Sequence, residues 1–267
     1  MKYDVVNLNE HYNVQGGTLK SICIEKPWDS NHDNWNRPAL LIIPGGAYRF
    51  VSNREGESIA ADFLAKGYQT FILTYLVKDD GARYPEQLKE MACAVDYIKK
   101  HSAEYGVDVN RVFAVGFSAG GHLVANLSNE YINMKEISKM NLDCSLHAVG
   151  LAYPVISISG GNTFENLIDG FDDSKKKEVL KRIDLINIMG KHTTPAYIWT
   201  TREDTGVDPL NSYKYALKLA ELGIPYEFHL FPYGWHGLSS GKNEVNDRLP
   251  KIVPDWEEEM DQFFKKI

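Results

Sequence analysis

The chain has 267 residues, of which 43% are hydrophobic, 12% aromatic and 24% charged. This composition is typical of a globular protein, and it excludes global disorder, collagen-like repeats and coiled-coil rods. The formal net charge is −7 and no block rich in Lys and Arg stands out, which disfavours a nucleic-acid-binding function. We expect a single domain that spans residues 1–267.

Strand and helix patterns begin with alternating polar and apolar residues at 18–25, which predict one or two antiparallel edge strands. From residue 39 onward, short apolar runs alternate with stretches of helical periodicity. Further predicted strands lie at 39–44, 69–77, 111–118, 148–156, 195–201 and 226–232, and predicted helices lie at 58–66, after Pro85, from Ala119, at 209–222 and at 254–265. This order predicts an α/β fold with a mostly parallel central sheet, helices on both faces and an antiparallel N-terminal edge.

One segment, 157–194, lacks a strong strand signal and contains a charged helical stretch. It reads as an excursion over the strand ends, and we predict that it forms a lid or a pocket wall.

The N-terminal region has no apolar run of signal-peptide length, and no stretch approaches 18 consecutive apolar residues. The three cysteines, Cys23, Cys93 and Cys144, are far apart and match no metal or redox spacing. We therefore expect a cytoplasmic protein with reduced thiols, no membrane association, no metal and no cofactor.

The strongest chemical motif is Gly-Phe-Ser-Ala-Gly at 116–120, which lies between a predicted strand and a predicted helix. This is the setting of a nucleophile elbow, a sharp turn that exposes a serine hydroxyl at the top of a sheet. Small neighbours are needed there because the backbone packs closely on both sides. We predict that Ser118 is a nucleophile.

A serine hydroxyl needs a base to remove its proton, and on this kind of fold the base follows the acid late in the chain. His236 fits best, because it follows the strand at 226–232 and is flanked by glycines that let a loop curl. The other histidines precede the serine, lie in or beside predicted elements, or fall in the excursion: His11, His32, His101, His122, His147, His192 and His229.

The orienting acid is expected in the loop after the strand at 195–201, where three carboxylates occur. Asp204 lies just past the strand end and is the preferred candidate. Asp208 precedes Pro209 and is better explained as a helix N-cap, and Glu203 stays an alternative. The developing oxyanion needs backbone donors, for which the N–H of Ala119 and the Gly-rich turn at 44–48 are placed well.

Four sequence stretches together resemble α/β-hydrolase esterases of the hormone-sensitive-lipase-like and acetyl-xylan-esterase-like branch: IIPGGAYRFVSNREGE, GFSAGGHLVANL, IWTTREDTGVDP and FPYGWHGL. The resemblance covers about 39–238 and implies an α/β-hydrolase fold and hydrolysis of short acyl esters, such as acetyl groups on sugars. It assigns the oxyanion donors to Gly46, Ala47 and Ala119. Pro44 replaces the histidine of the His-Gly-Gly-Gly motif in that family, and one residue is inserted in the acid motif.

Aromatic residues occur near the proposed site, and we expect Tyr48, Phe117, Tyr153 and Trp235 to line the substrate pocket, although core packing would also explain them. The motifs thus predict a serine carboxylesterase acting on a small-molecule ester. What the resemblance adds is the substrate class, an acetyl ester of a sugar or xylo-oligosaccharide. An amidase, an arylformamidase-like or a peptidase-like hydrolase would use the same triad, and a non-catalytic binding module is the remaining alternative. Self-association is left open.

Overall fold

The computed structural model describes residues 1–30, 35–157, 163–242, 253 and 255–267. Its centre is an eight-stranded sheet with the strand order β1-β2-β4-β3-β5-β6-β7-β8. The strands are β1 (Lys2–Asn7), β2 (Thr18–Cys23), β3 (Arg37–Ile43), β4 (Gln69–Thr74), β5 (Val107–Phe117), β6 (Val149–Ala152), β7 (Ala196–Thr201) and β8 (Tyr226–Phe231).

The sheet is antiparallel only at its N-terminal edge. β1 pairs with β2 and β2 with β4 in antiparallel register, whereas the other five neighbouring pairs are parallel. The predicted mostly parallel sheet with an antiparallel edge is therefore confirmed.

Helices cover both faces of this sheet, as predicted. They are α1 (Glu57–Ala65), α2 (Glu86–Lys100), α3 (Ser102–Tyr105), α4 (Ala119–Glu130), α5 (Met134–Ser138), α6 (Thr163–Ile168), α7 (Asp173–Ile183), α8 (Leu210–Leu222) and α9 (Trp256–Lys266). Successive β3 side chains enter two separate apolar clusters. Leu41 packs in the cluster that contains α2, α4 and α8, while Leu40 packs in the cluster that contains α1 and α9. Of the helices in the described residues, none is long and apolar enough to cross a bilayer.

Strand β6 is shorter than its sequence pattern predicts. The apolar run at 148–156 predicts a strand of nine residues, but β6 ends at Ala152. Tyr153 has φ = 38°, a left-handed conformation that breaks the extended backbone. The chain therefore turns away from the sheet at this point, towards the elbow that carries Ser118.

The excursion at 157–194 contains α6 and α7, and its residues 158–162 lie outside the described residues. It is fastened to the loops above the sheet, since the Tyr84 backbone N–H donates to the Leu167 carbonyl at 3.0 Å and Arg83 pairs with Asp169 at 3.0 Å. The Asn166 amide donates to the Ala47 carbonyl at 2.8 Å. Its role as a lid or pocket wall stays a prediction.

The three cysteines are buried and free of disulfides, as their spacing predicts. Burial raises the pKa of each thiol to about 12. Because the thiolate is the reactive form, these residues are poor nucleophiles at neutral pH.

Helix α2 carries a fully buried acidic residue, Glu90, and acidic residues are rare at such positions. Its side chain is 0% exposed, and one carboxylate oxygen accepts a hydrogen bond from the Leu76 N–H at 2.8 Å. Burial raises the pKa of Glu90 to about 8, and the nearby Glu86 and Asp80 act in the same direction. The group is therefore largely protonated in the folded chain at neutral pH.

We expect Glu90→Gln to remove a pH dependence of stability. The folded-state pKa lies above the unfolded value near 4.3, so the contribution of Glu90 is fully present below that value and is lost as the pH rises through 8. Between pH 5 and 9 the parent should lose on the order of 4 kcal/mol of unfolding free energy that the variant does not lose. Urea denaturation at pH 5, 7 and 9 measures this, with Glu136→Gln, at an exposed position of α5, as the control. Equal pH slopes in parent and Glu90→Gln would contradict the prediction.

Candidate active site

Ser118 lies on a strained turn between β5 and α4, with φ = 52° and ψ = −115°. Two backbone hydrogen bonds hold this conformation. The Ser118 N–H donates to the Ala152 carbonyl at 3.0 Å, and the Ser118 carbonyl accepts from the Val155 N–H at 3.1 Å. A non-glycine residue keeps such a conformation only where its surroundings enforce it.

The glycines of the motif are required by close backbone packing. A Cβ on Gly116 would lie 2.3 Å from the Gly120 carbonyl oxygen, and a Cβ on Gly120 would lie 2.1 Å from the Ile43 carbonyl oxygen. Both distances are far below van der Waals contact. The elbow thus forms only with glycine at both positions, which is the reason the motif predicted it.

Ser118, His236 and Asp204 lie together at the C-terminal edge of the sheet. In sequence, His236 is 118 residues from Ser118 and 32 residues from Asp204. The Ser118 Oγ and the His236 Nε2 are 2.8 Å apart, and the His236 Nδ1 and the Asp204 Oδ2 are also 2.8 Å apart. A carboxylate only accepts, so Nδ1 carries the proton in this arrangement and Nε2 accepts from the serine hydroxyl.

Asp204 is held in place by its own loop. Its second oxygen, Oδ1, accepts hydrogen bonds from the backbone N–H groups of Gly206 and Val207, each at 2.9 Å. The Asp204 side chain is 1% exposed, whereas that of His236 is 26% exposed. The carboxylate is therefore fixed and shielded, and the imidazole is accessible at the surface of the site.

The alternative acids lie elsewhere. Glu203 is exposed and pairs with Arg202 at 3.4 Å. The Asp208 Oδ1 accepts from the Leu210 N–H at 2.9 Å at the start of α8, the capping contact expected from the sequence. The structure thus brings Asp204, and neither alternative, to the histidine.

The turn at 44–48, here called the oxyanion turn, packs directly against Ser118. A Cβ on Gly45 would lie 3.1 Å from the Ser118 Cβ. Gly46 has φ = 127° and Ala47 has φ = 54°. Among the described residues, the backbone N–H groups of Gly46, Ala47 and Ala119 donate no hydrogen bond to another backbone group. Their role as oxyanion donors stays a proposal.

Three contacts that sequence reasoning missed fix the oxyanion turn. The buried Glu55 carboxylate accepts from the Gly45 N–H at 2.7 Å, the Tyr75 hydroxyl donates to the Pro44 carbonyl at 2.9 Å, and Asn166 binds the Ala47 carbonyl. Their sequence context does not indicate these contacts. Tyr75 lies in the predicted strand at 69–77, and only the fold brings Glu55 and Asn166 to the turn.

Three of the four predicted pocket aromatics are core residues, so this prediction was wrong for them. Tyr48, Phe117 and Tyr153 are at most 2% exposed, because each side chain packs in one of the two apolar clusters of the core. The centroids of the Phe117 and Trp256 rings are 5.9 Å apart. The Tyr48 hydroxyl forms a hydrogen bond with the His122 Nδ1 at 2.8 Å. Of the four, Trp235 alone is exposed, at 39%.

Burial lowers the pKa of His122 to about 4, so its imidazole is neutral. Its Nε2 donates to the Ile183 carbonyl at 2.8 Å. His122 is thus a packing residue behind the oxyanion turn. Within the described ranges, no group of three or more His, Cys, Asp or Glu side chains could hold a metal ion.

Comparison with known proteins gives a family match over residues 28–219, to the family described as BD-FAE. Endo-1,4-beta-xylanase B of Butyrivibrio fibrisolvens is 30% identical over 218 residues, which cover 80% of this chain and 34% of that protein. Acetylxylan esterase of Xylanibacter ruminicola is 24% identical over 232 residues, which cover 84% of this chain and 46% of that protein. The chain therefore spans less than half the length of these relatives.

Among solved structures, MGS-M1, an α/β-hydrolase enzyme from a Medee basin deep-sea metagenome library, is 30% identical with a TM-score of 0.77. The alignment covers 100% of this chain and 97% of that one. The predicted α/β-hydrolase fold is confirmed by this similarity together with the strand order of the sheet.

We expect Gly206→Ala to disturb the site without unfolding the chain. A Cβ at Gly206 would lie 2.7 Å from the His236 Cβ and Cγ, so the imidazole must shift. Misplacement of a catalytic group by about 1 Å can cost about 100-fold in rate. The hydrolysis rate of p-nitrophenyl acetate should therefore fall by between about tenfold and 100-fold. The exposed neighbour gives the control, Thr205→Ala, which should retain the parent rate. A Gly206→Ala variant as fast as this control would show that the contact is unimportant.

Proposed function

We propose, since the chain belongs to the BD-FAE family, that it is a serine carboxylesterase that uses Ser118, His236 and Asp204. The observation that carries the proposal is the pair of 2.8 Å contacts that join the serine to the histidine and the histidine to the aspartate. The relative named acetylxylan esterase supports an ester substrate. These contacts provide a nucleophile, a base and an orienting acid in the order that acyl transfer needs.

In the first step, Ser118 Oγ attacks the ester carbonyl carbon while His236 Nε2 takes the hydroxyl proton. Asp204 holds the imidazole in the required tautomer and stabilises the imidazolium that forms. The negative charge on the carbonyl oxygen is met by the N–H groups of Gly46, Ala47 and Ala119. The imidazolium then gives its proton to the leaving alcohol, and an acyl-enzyme remains.

In the second step, water replaces the alcohol. His236 takes a proton from the water, the resulting hydroxide attacks the acyl carbon, and Ser118 leaves with the proton that His236 returns. The 26% exposure of the His236 side chain supports this step, because the base must be reachable from solvent. No redox change occurs in either step.

For the substrate, we favour short acyl groups, acetyl in particular, on a carbohydrate alcohol. Two aromatic side chains on the loop that carries His236 support a sugar: Trp235 is 39% exposed and Tyr233 is 60% exposed. Exposed aromatic rings offer flat apolar surfaces on which the apolar faces of a sugar can stack. The names of both xylan-related relatives agree with this choice.

Removing the nucleophile should abolish ester hydrolysis. We expect Ser118→Ala to lower kcat for p-nitrophenyl acetate by at least about 10⁴-fold, and Asp204→Asn to lower it by about 10³–10⁴-fold through the wrong imidazole tautomer. Glu203→Gln, on the same loop, is the matched control and should retain most of the parent activity. If Asp204→Asn and Glu203→Gln behaved alike, the assignment of the acid would fail.

A substrate panel separates the acyl and alcohol preferences. We expect p-nitrophenyl acetate to be hydrolysed with a higher kcat/KM than the butyrate and octanoate esters, and acetylated xylo-oligosaccharides to release acetate. An acetanilide should react far more slowly. Preference for the anilide would favour the amidase alternative, and Ser118→Ala serves as the blank for every substrate.

A further inference from the structure

A buried carboxylate joins two loops of the site that are far apart in sequence. Glu55 ends the short turn Asn53–Glu55 that precedes α1, and it is 3% exposed. Its Oε2 accepts from the Gly45 N–H at 2.7 Å, and its Oε1 accepts from the Tyr153 hydroxyl at 2.7 Å. In the described part of the chain it forms no ion pair with a Lys, Arg or His. Its hydrogen bonds are therefore directed to the loops of the site.

The chain of hydrogen bonds continues to the loop at 232–240, here called the histidine loop. The Tyr153 hydroxyl, which donates to Glu55, accepts from the Ser239 N–H at 2.9 Å. The Tyr153 ring also meets the His236 ring edge-on, with centroids 5.1 Å apart and an interplanar angle of 72°. Tyr153 thus contacts the imidazole directly and fixes the backbone three residues after it.

Glu55 also lies beside the nucleophile. A Cβ on Gly45 would lie 3.0 Å from the Glu55 Oε2 and 3.1 Å from the Ser118 Cβ. The Glu55 carboxylate and the Ser118 side chain therefore both lie against Gly45 of the oxyanion turn. A shift of the carboxylate is passed to the turn, since the Gly45 N–H is bonded to it.

The segments that Glu55 connects are strained. Ala47, Tyr153 and Ser239 all have positive φ, at 54°, 38° and 52°. Strained backbone persists where its surroundings over-determine it, and it relaxes when those contacts are removed. The hydrogen bonds centred on Glu55 are among the contacts that hold the two segments on either side of Ser118.

We propose that Glu55 is a positioning residue that sets the oxyanion turn and the histidine loop in register through Gly45 and Tyr153. The inference rests on the proposed function, whose catalytic groups it aligns. A carboxylate suits the task, because Gly45 offers an N–H and Tyr153 an O–H, and both carboxylate oxygens accept. A glutamine has one acceptor oxygen, so it satisfies only one of these donors.

The test compares Glu55→Gln and Tyr153→Phe with Tyr68→Phe. Tyr68 is a matched control, because its buried hydroxyl donates to the buried Asp261 carboxylate at 2.9 Å in the same apolar cluster that contains Tyr153, away from Ser118. We expect both site variants to lose between about tenfold and 100-fold in kcat for p-nitrophenyl acetate, with KM within about twofold of the parent. Tyr68→Phe should retain the parent kcat.

A second readout isolates the stabilisation of the tetrahedral state. Methylboronic acid forms a tetrahedral adduct with an activated serine, so its inhibition constant should rise in Glu55→Gln by the same factor as kcat falls. Thermal unfolding is measured for all three variants. If Glu55→Gln does not fold, Tyr153→Phe, which keeps the ring and removes only the hydroxyl, decides the question.

The inference is overturned if kcat of the site variants stays within twofold of the parent, or falls no further than in Tyr68→Phe. It is also overturned if KM rises while kcat is unchanged, because that pattern indicates lost substrate contacts. A parent that hydrolyses the ester, together with an inactive Ser118→Ala, keeps the proposed function intact in either event. A parent with no hydrolysis would overturn the proposed function and this inference together.

Discussion

The arrangement of the site depends on one steric constraint, the tight crossing of β5, α4 and the oxyanion turn around Ser118. The backbone there is so close that a single methyl group on Gly116 or Gly120 would overlap a carbonyl oxygen. This closeness forces Ser118 to a φ of 52° and lifts its hydroxyl off the end of the sheet. It also brings the oxyanion turn against the serine. The strained turn at Ser118 and the position of the candidate oxyanion donors therefore result from the same packing.

Strain in the backbone is concentrated where the loops meet. Of the non-glycine residues with positive φ in the described chain, all but Lys139 lie in the loops around the nucleophile: Ala47, Tyr48, Ser118, Tyr153 and Ser239. Each such residue costs about 1–3 kcal/mol, which the folded core must offset. Hydrogen bonds hold these segments in place. Those made by Glu55 and His122 are buried, and that from Asn166 to Ala47 is partly buried. The parallel sheet provides the rigid base, because its strands end at one edge.

The sequence was most informative where local chemistry has a single structural solution. Glycine spacing located the elbow, and chain order with loop position selected Asp204 and His236, which the structure brings together with Ser118. The alternation of helix and strand predicted the sheet. The prediction that Tyr48, Phe117 and Tyr153 line the substrate pocket was wrong. Proximity to a motif in the sequence does not specify on which side of the backbone a side chain lies. The contacts of Glu55 with Tyr153 and of Asn166 with Ala47 could not be predicted, because these partners are distant in sequence. That the chain forms one domain stays a prediction.

The central claim is that His236 activates Ser118 towards acyl carbon, and covalent labelling tests it most directly. The parent and the His236→Ala variant are incubated with a p-nitrophenyl phosphonate ester, and the adduct is mapped by peptide mass spectrometry over time. We expect a single adduct on Ser118 in the parent and labelling slower by at least about 10³-fold in the variant. An adduct on another residue, or equal labelling rates in the two proteins, would contradict the account.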